Sequence, residues 1–163
     1  MSMQHIVDAG KAIIDGGATS SVGSVDAMEQ IRKINQRKGI STEVDLKFDE
    51  PPSFRFGNNG RTTCLSTAQL NIPLAQQNGK MKIHVHEIPQ QPILLSIQAL
   101  RTMGAVIDFE RDECIFRNID PSRVVKLERA ASGHQVFPLT DNVYSGSSRR
   151  VEPFVSLQSN AVE

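Results

Sequence analysis

The chain has 163 residues, enough for one domain with a short extension, and its 18 basic side chains are matched by 18 acidic ones. That balance excludes a dedicated nucleic-acid or anionic-membrane binder, which carries a basic excess or stripe. No apolar run approaches membrane-spanning length, and eight prolines with eleven glycines point to a strand-rich fold.

Met1 to Gly10 lacks the apolar core of a signal peptide, so a soluble cytoplasmic protein is expected. Residues 4–8 and 11–15 read as two short strands around Ala9-Gly10. The second is Lys11-Ala12-Ile13-Ile14-Asp15, which runs into Gly16-Gly17-Ala18-Thr19. A buried strand that delivers one carboxylate to a glycine-built turn presents that acid for chemistry. The pattern occurs once, because Asp108 also follows an apolar run but is followed by Phe109 rather than glycine. Ser24 opens a helix with Asp26 in its first turn and Ala27, Met28, Ile31 and Ile34 as its apolar stripe. Arg37-Lys38 closes it before Gly39.

Residues 41–48 alternate as a half-buried strand does, and Pro51-Pro52 ends it. Phe54-Arg55-Phe56 and Thr62 to Thr67 flank Gly57-Asn58-Asn59-Gly60, a hairpin-turn signal because Asn and Gly tolerate positive φ. Lys80 to Val85 alternate again, placing His84 and His86 on one strand face. No third ligand has metal-site spacing, so no metal site is expected. Pro92 precedes Ile93-Leu94-Leu95-Ser96, and a helix from Ile97 to Met103 stops at Gly104. Two hairpins follow: 105–109 with 114–116, and 124–128 with 135–139 across Ala131-Ser132-Gly133. Asp112-Glu113 belongs to a turn. Cys64 and Cys114, far apart, read as free thiols in a reducing compartment. From Thr140 the chain becomes Ser-rich, so the expectation is a domain over 1–140 and a mobile tail or linker over 141–163, with Arg149-Arg150 a solvated pair.

In this order the aspartate turn, the glycine-tipped hairpin and the Leu94-Leu95-Ser96 segment before a short helix resemble the retropepsins, the single-lobe aspartic proteases of retroviruses and retrotransposons. The resemblance spans roughly residues 4–117. The wording of 91–139, including Leu127-Glu128-Arg129 and Gly133-His134, is most similar to copia-type retroelement proteases.

The resemblance implies a mostly β, single-lobe closed barrel with one or two short helices that forms a homodimer. Asp15 of each copy is then the catalytic acid, Gly16, Gly17, Ala18 and Thr19 complete the active-site loop, Gly57 to Gly60 form a flap over substrate, and Leu94, Leu95 and Ser96 support the loop. The paired carboxylates share a proton and activate a water that attacks a peptide carbonyl, with no cofactor. The substrate is a peptide or retroelement polyprotein, processed in the cytoplasm or inside a retroelement particle. On this reading Gly17 supplies a backbone shape barred to other residues. Two positions depart from the pattern. Gly16 stands where the family carries Thr or Ser, whose hydroxyl braces the two loops across the dimer axis. Ser96 stands where the family carries Gly, and its hydroxyl needs a partner. Gly16 and Ser96 therefore favour the alternative, a catalytically decayed dimeric module that binds peptides or is structural.

Overall fold

The structure, a computed structural model, describes residues 1–40, 42–45, 53–55, 61–63, 66–74 and 77–149. Among these are three helices: α1 (Met3–Asp8), α2 (Val25–Arg37) and α3 (Ile97–Met103). The strands are β1 (Lys11–Ile14), β2 (Val22–Ser24), β3 (Thr42–Asp45), β4 (Ser53–Arg55), β5 (Arg61–Thr63), β6 (Ser66–Leu74), β7 (Gln77–His86), β8 (Ile93–Leu95), β9 (Ala105–Asp108), β10 (Glu113–Phe116), β11 (Asp120–Lys126), β12 (Glu128–Arg129), β13 (Gln135–Pro138) and β14 (Ser148–Arg149). The protein is mostly β with few short helices, as expected.

One sheet holds eight strands in the order β12-β13-β1-β8-β2-β7-β6-β3. Its centre is made of short apolar strands buried on both faces. Ala12, Ile14, Ile93 and Leu95 enter the main core, while Ile13 joins Ile6, Ala130 and Val136 on the other face. β1 and β8 run parallel, Ile14 opposite Leu95. Parallel pairing needs a long crossover, and the chain between them supplies α2 and the β6–β7 ribbon. Among the described residues this sheet has two ends and no pairing that closes it into a barrel. A second sheet, β14-β11-β10-β9, covers the core through Cys114, Phe116 and Val125.

Several expectations need correction. Residues 4–8 form the helix α1, not a strand. The Ser2 side chain accepts the His5 amide at 3.1 Å, the Gln4 and Asp8 side chains bond one turn apart, and adjacent Ile6 and Val7 are buried against different clusters. Strand β6 was not anticipated, because Asn71 and Pro73 interrupt its pattern. Pro73 is tolerated because, among the described residues, β3 pairs only with Thr67–Leu70 and no strand pairs with that side of β6 at Pro73. The last hairpin is split: only Glu128-Arg129 pairs with β13, whereas β11 pairs with β10. The tail does not begin at 141. Val143 and Tyr144 are buried, Tyr144 stacks edge-on against Phe116 with centroids 6.4 Å apart, and Ser148–Arg149 pairs with β11. Residues 150–163, with Arg150, lie outside the described residues.

Helices α2 and α3 and the β9–β10 hairpin fall where expected, whereas β2 was not expected and Glu113, read as part of a turn, opens β10. Ser24 caps α2 by accepting the Ala27 amide at 3.1 Å. Asn35 adds a buried polar residue to the inner face of that helix, while Ile34 is only half-buried. α3 ends at Gly104, whose φ of 66° is left-handed. β9 and β10 form the expected hairpin, turning at Asp112 with φ 55°.

Candidate active site

Asp15 follows the last residue of β1, and parallel pairing sets it beside the end of β8. Its amide donates to the Leu95 carbonyl at 3.0 Å, so the strand pairing continues one residue into the loop. The loop then closes as a turn, with the Ala18 amide donating to the Asp15 carbonyl at 3.1 Å. The Gly17 amide donates to Asp15 Oδ1 at 2.9 Å, which fixes the carboxylate over its own turn. The Ala18 carbonyl accepts the Ile97 amide at 2.9 Å, tying the loop to the start of α3. Asp15 is half-buried and Gly16, Gly17 and Thr19 are exposed. Among the described residues no cation pairs with Asp15. The result is one oriented carboxylate at the surface.

Gly17 does not need the freedom expected of it. Its φ lies outside the left-handed region, and a Cβ there would sit 3.3 Å from Asp15 Oδ1. Its use is close approach: a bare amide reaches the carboxylate.

Ser96 finds the partner its position demands. Its amide donates to Ser21 Oγ at 3.1 Å, and the Ser21 hydroxyl donates to Ser96 Oγ at 3.2 Å. Ser96 Oγ also accepts the Ala99 amide at 3.2 Å and so caps α3. Both serines are buried. Ser21 is the residue that sequence reasoning passed over in this role; the sign of it was the polar hydroxyl at 96 in an apolar run, which had to be matched. Leu95 is fully buried in the main core, and Leu94 packs on the smaller cluster. Of Leu94, Leu95 and Ser96, Leu95 bonds the loop directly, through its carbonyl to the Asp15 amide. Gly23 is a second position missed: a Cβ there would run into the Ile93 side chain and fall 3.2 Å from its backbone, so a bare residue suits the close approach of β2 and β8.

The strands on either side of the expected flap tip pair with each other. β4 pairs with β5, Arg55 opposite Arg61, inside the longer ribbon of β3 with β6. Gly57, Asn58, Asn59 and Gly60 lie outside the described residues, as does Cys64.

The remaining candidates have structural surroundings. Asp108 Oδ1 accepts the amides of Glu110 and Arg111. Asp112 accepts from Gln135 and Arg129, which hold its carboxyl below the usual range. His84 Nδ1 lies 3.0 Å from Thr67 Oγ1, and His86 Nδ1 accepts the Ile88 amide at 3.1 Å. Burial pushes both imidazoles down from their ordinary value, with the Lys82 charge adding to the effect at His84. Among the described residues no cluster of three metal-ligating side chains exists. Cys114 is fully buried, and burial pushes its thiol up to about 12, which makes it inert. No described helix is long and apolar enough to cross a membrane.

Among solved structures the chain is similar to the retroviral protease-like domain of Ddi1 from Leishmania major, with TM-score 0.41 and 17% identity over 66% of this chain and 78% of that one. A likeness of that size carries no conclusion about chemistry. No family model and no curated protein matches the chain.

Proposed function

We propose that the chain is a retropepsin-like aspartic endopeptidase that works as a homodimer and processes a retroelement polyprotein. The observation that carries this reading is the Asp15 turn. Its carboxylate is oriented by the Gly17 amide, anchored by Leu95 and Ile97, and left without an ionic partner among the described residues. A structural aspartate at a strand end usually caps a turn and is solvated. Asp15 does cap its turn, but four main-chain and side-chain bonds brace that one exposed turn, which suits an acid whose position matters. The order of Asp15, the antiparallel pairing of β4 with β5, Leu94-Leu95-Ser96 and α3 stopping at Gly104 supports the same reading.

In the dimer two Asp15 carboxylates meet. Close carboxylates cannot both ionise cheaply, so the pair holds one proton between them. The ionised member takes a proton from a bound water, which attacks the peptide carbonyl. The protonated member donates to the carbonyl oxygen as it gains charge. The proton then passes to the leaving amine, and the pair returns to its starting state. An extended peptide fits this site by main-chain bonds to the covering hairpin.

The test is cleavage of unstructured peptides by the purified protein at mildly acidic pH, alongside Asp15→Asn. The parent should cleave and the variant should not, because an amide cannot accept the water proton. Equal cleavage by both eliminates Asp15 as the catalytic acid. Absence of cleavage by either, with a dimer in sedimentation, leaves the non-catalytic peptide-binding module.

A further inference from the structure

A cavity of about 510 Å³ opens between β7, α3 and the segment leading into β2. Its origin is the sheet itself. Among the described residues β2 pairs with β7 only at His84–His86, so the earlier part of β7 has β6 on one side and no described strand on the other. The His84 amide points away from β6, donating to the Ser21 carbonyl at 2.9 Å. Backbone direction alternates along a strand. Lys82 and Lys80 therefore aim their N–H and C=O groups to the same side as His84, into the cavity. Among the described residues no backbone group pairs with them there. This is an open strand edge, and such edges accept another strand.

The two faces of the edge differ. Ile72, Leu74 and Met81 lie on one face, and Ala99, Met103 and Ile119 complete an apolar wall beneath it. The side chains of Lys80 and Lys82 leave from the other face and are exposed. A strand added here would alternate in the same way. Every second residue would enter the apolar wall, and the residues between would stand beside the lysines.

We infer that this cavity is a strand-addition site for an extended peptide in which apolar residues alternate with acidic ones. Main-chain bonds to Lys80 and Lys82 hold it, the apolar side chains fill the cavity, and the acidic ones pair with the lysine ammonium groups. The site is separate from the aspartate turn, since Asp15, Gly16 and Gly17 do not line it. It borders Ser21 and Ser96, whose mutual bonds brace that turn from behind. It does not depend on catalysis by Asp15.

The test is fluorescence anisotropy with a labelled Val-Glu-Val-Glu-Val peptide, titrated with the full chain. Saturable binding is expected. The double variant Lys80→Glu/Lys82→Glu should weaken it at least about tenfold, and Lys82→Pro, which removes one edge N–H while sparing the pairing with β6, should abolish it. Asp15→Asn should bind like the parent. In the unsubstituted protein the peptide should slow hydrogen exchange at the Lys80 and Lys82 amides, which keeps the inference testable if a variant misfolds. Absence of saturable binding, equal binding of Val-Lys-Val-Lys-Val, loss of binding in Asp15→Asn, or unchanged exchange at Lys80 and Lys82 each overturns it.

Discussion

Ser96 joins two elements through one hydroxyl, capping α3 and meeting Ser21 behind the Asp15 turn. Ser96→Ala removes a helix cap, which costs about 1 kcal/mol. It also removes the acceptor of the Ser21 hydroxyl proton, while Ser21 Oγ keeps the bond from the amide of residue 96, so the lost bond costs about 0.5–1.5 kcal/mol more. Urea unfolding should show a loss of about 1.5–2.5 kcal/mol on these terms. A loss under about 0.5 kcal/mol, the size of an ordinary surface change, would mean the bond is idle. Gly16 is the opposite case, a position with room. A Cβ there would meet only Ile97 Cδ1, at 4.0 Å, and its φ is not left-handed. Gly16→Thr therefore fits. In the proposed dimer it restores two symmetric hydroxyl bonds worth about 0.5–1.5 kcal/mol each, so dimer dissociation should fall by about five-fold or more. Sedimentation at several concentrations reads this directly, and an unchanged dissociation constant removes the account of Gly16.

At the scale of elements, α3 shows how a helix end places its neighbours. Gly104 is left-handed, its amide returns to Arg101, and a Cβ there would lie 3.0 Å from the Asn118 side chain. Gly104→Ala should cost about 1–2 kcal/mol for the backbone alone, with a further loss as Asn118 is displaced from the Thr102 carbonyl it bonds at 3.0 Å. Gly133→Ala is the matched control, left-handed with open space around it. Equal destabilisation of the two variants would show that Asn118 adds nothing. Both ends of α3 were legible in the sequence because serine and glycine signal caps locally, and the same holds for Ser24 at α2. The strand at 11–14 was legible because its apolar run was short and ended in an acid. Helix α1 was not, since six residues cannot display a helical period and Ile6-Val7 imitates a strand. Nor was the parallel pairing of Ile14 with Leu95, because register between segments some eighty residues apart leaves no local mark. The Asp15 turn could be read as a site, while the Ser21–Ser96 brace depends on that long-range pairing.

At the scale of the whole molecule, His84 and His86 bring a pH dependence that opposes the proposed chemistry. Both lie on β7 at the join between β2 and the β6–β7 ribbon, and burial lowers both from the ordinary value of 6.5. The groups facing them include Thr67 and the Ile88 amide, with the Lys82 charge adding to the shift at His84. Well above pH 6.5 both states of the chain carry neutral imidazoles, so there neither histidine's titration affects stability. As pH falls below about 6.5 the unfolded chain takes up protons first, and folding loses ground until the folded values are also passed. The carboxyls of Asp112 and Asp120, held low chiefly by hydrogen bonds from Gln135 and Ser122 respectively, lose their contribution only at more acidic pH, below 3.8. The fold should thus weaken in two stages, imidazoles first and carboxylates later. Thermal unfolding at pH 7.5, 6.0 and 5.0 should show a falling midpoint across the first stage, and His84→Gln should flatten part of that slope. A midpoint that holds steady from pH 7.5 to 5.0 would mean the imidazoles stay solvated in the folded chain. A shared-proton dyad works best in mild acid, so the acidic limb of any pH–rate profile should coincide with the histidine stage of unfolding and recede in His84→Gln.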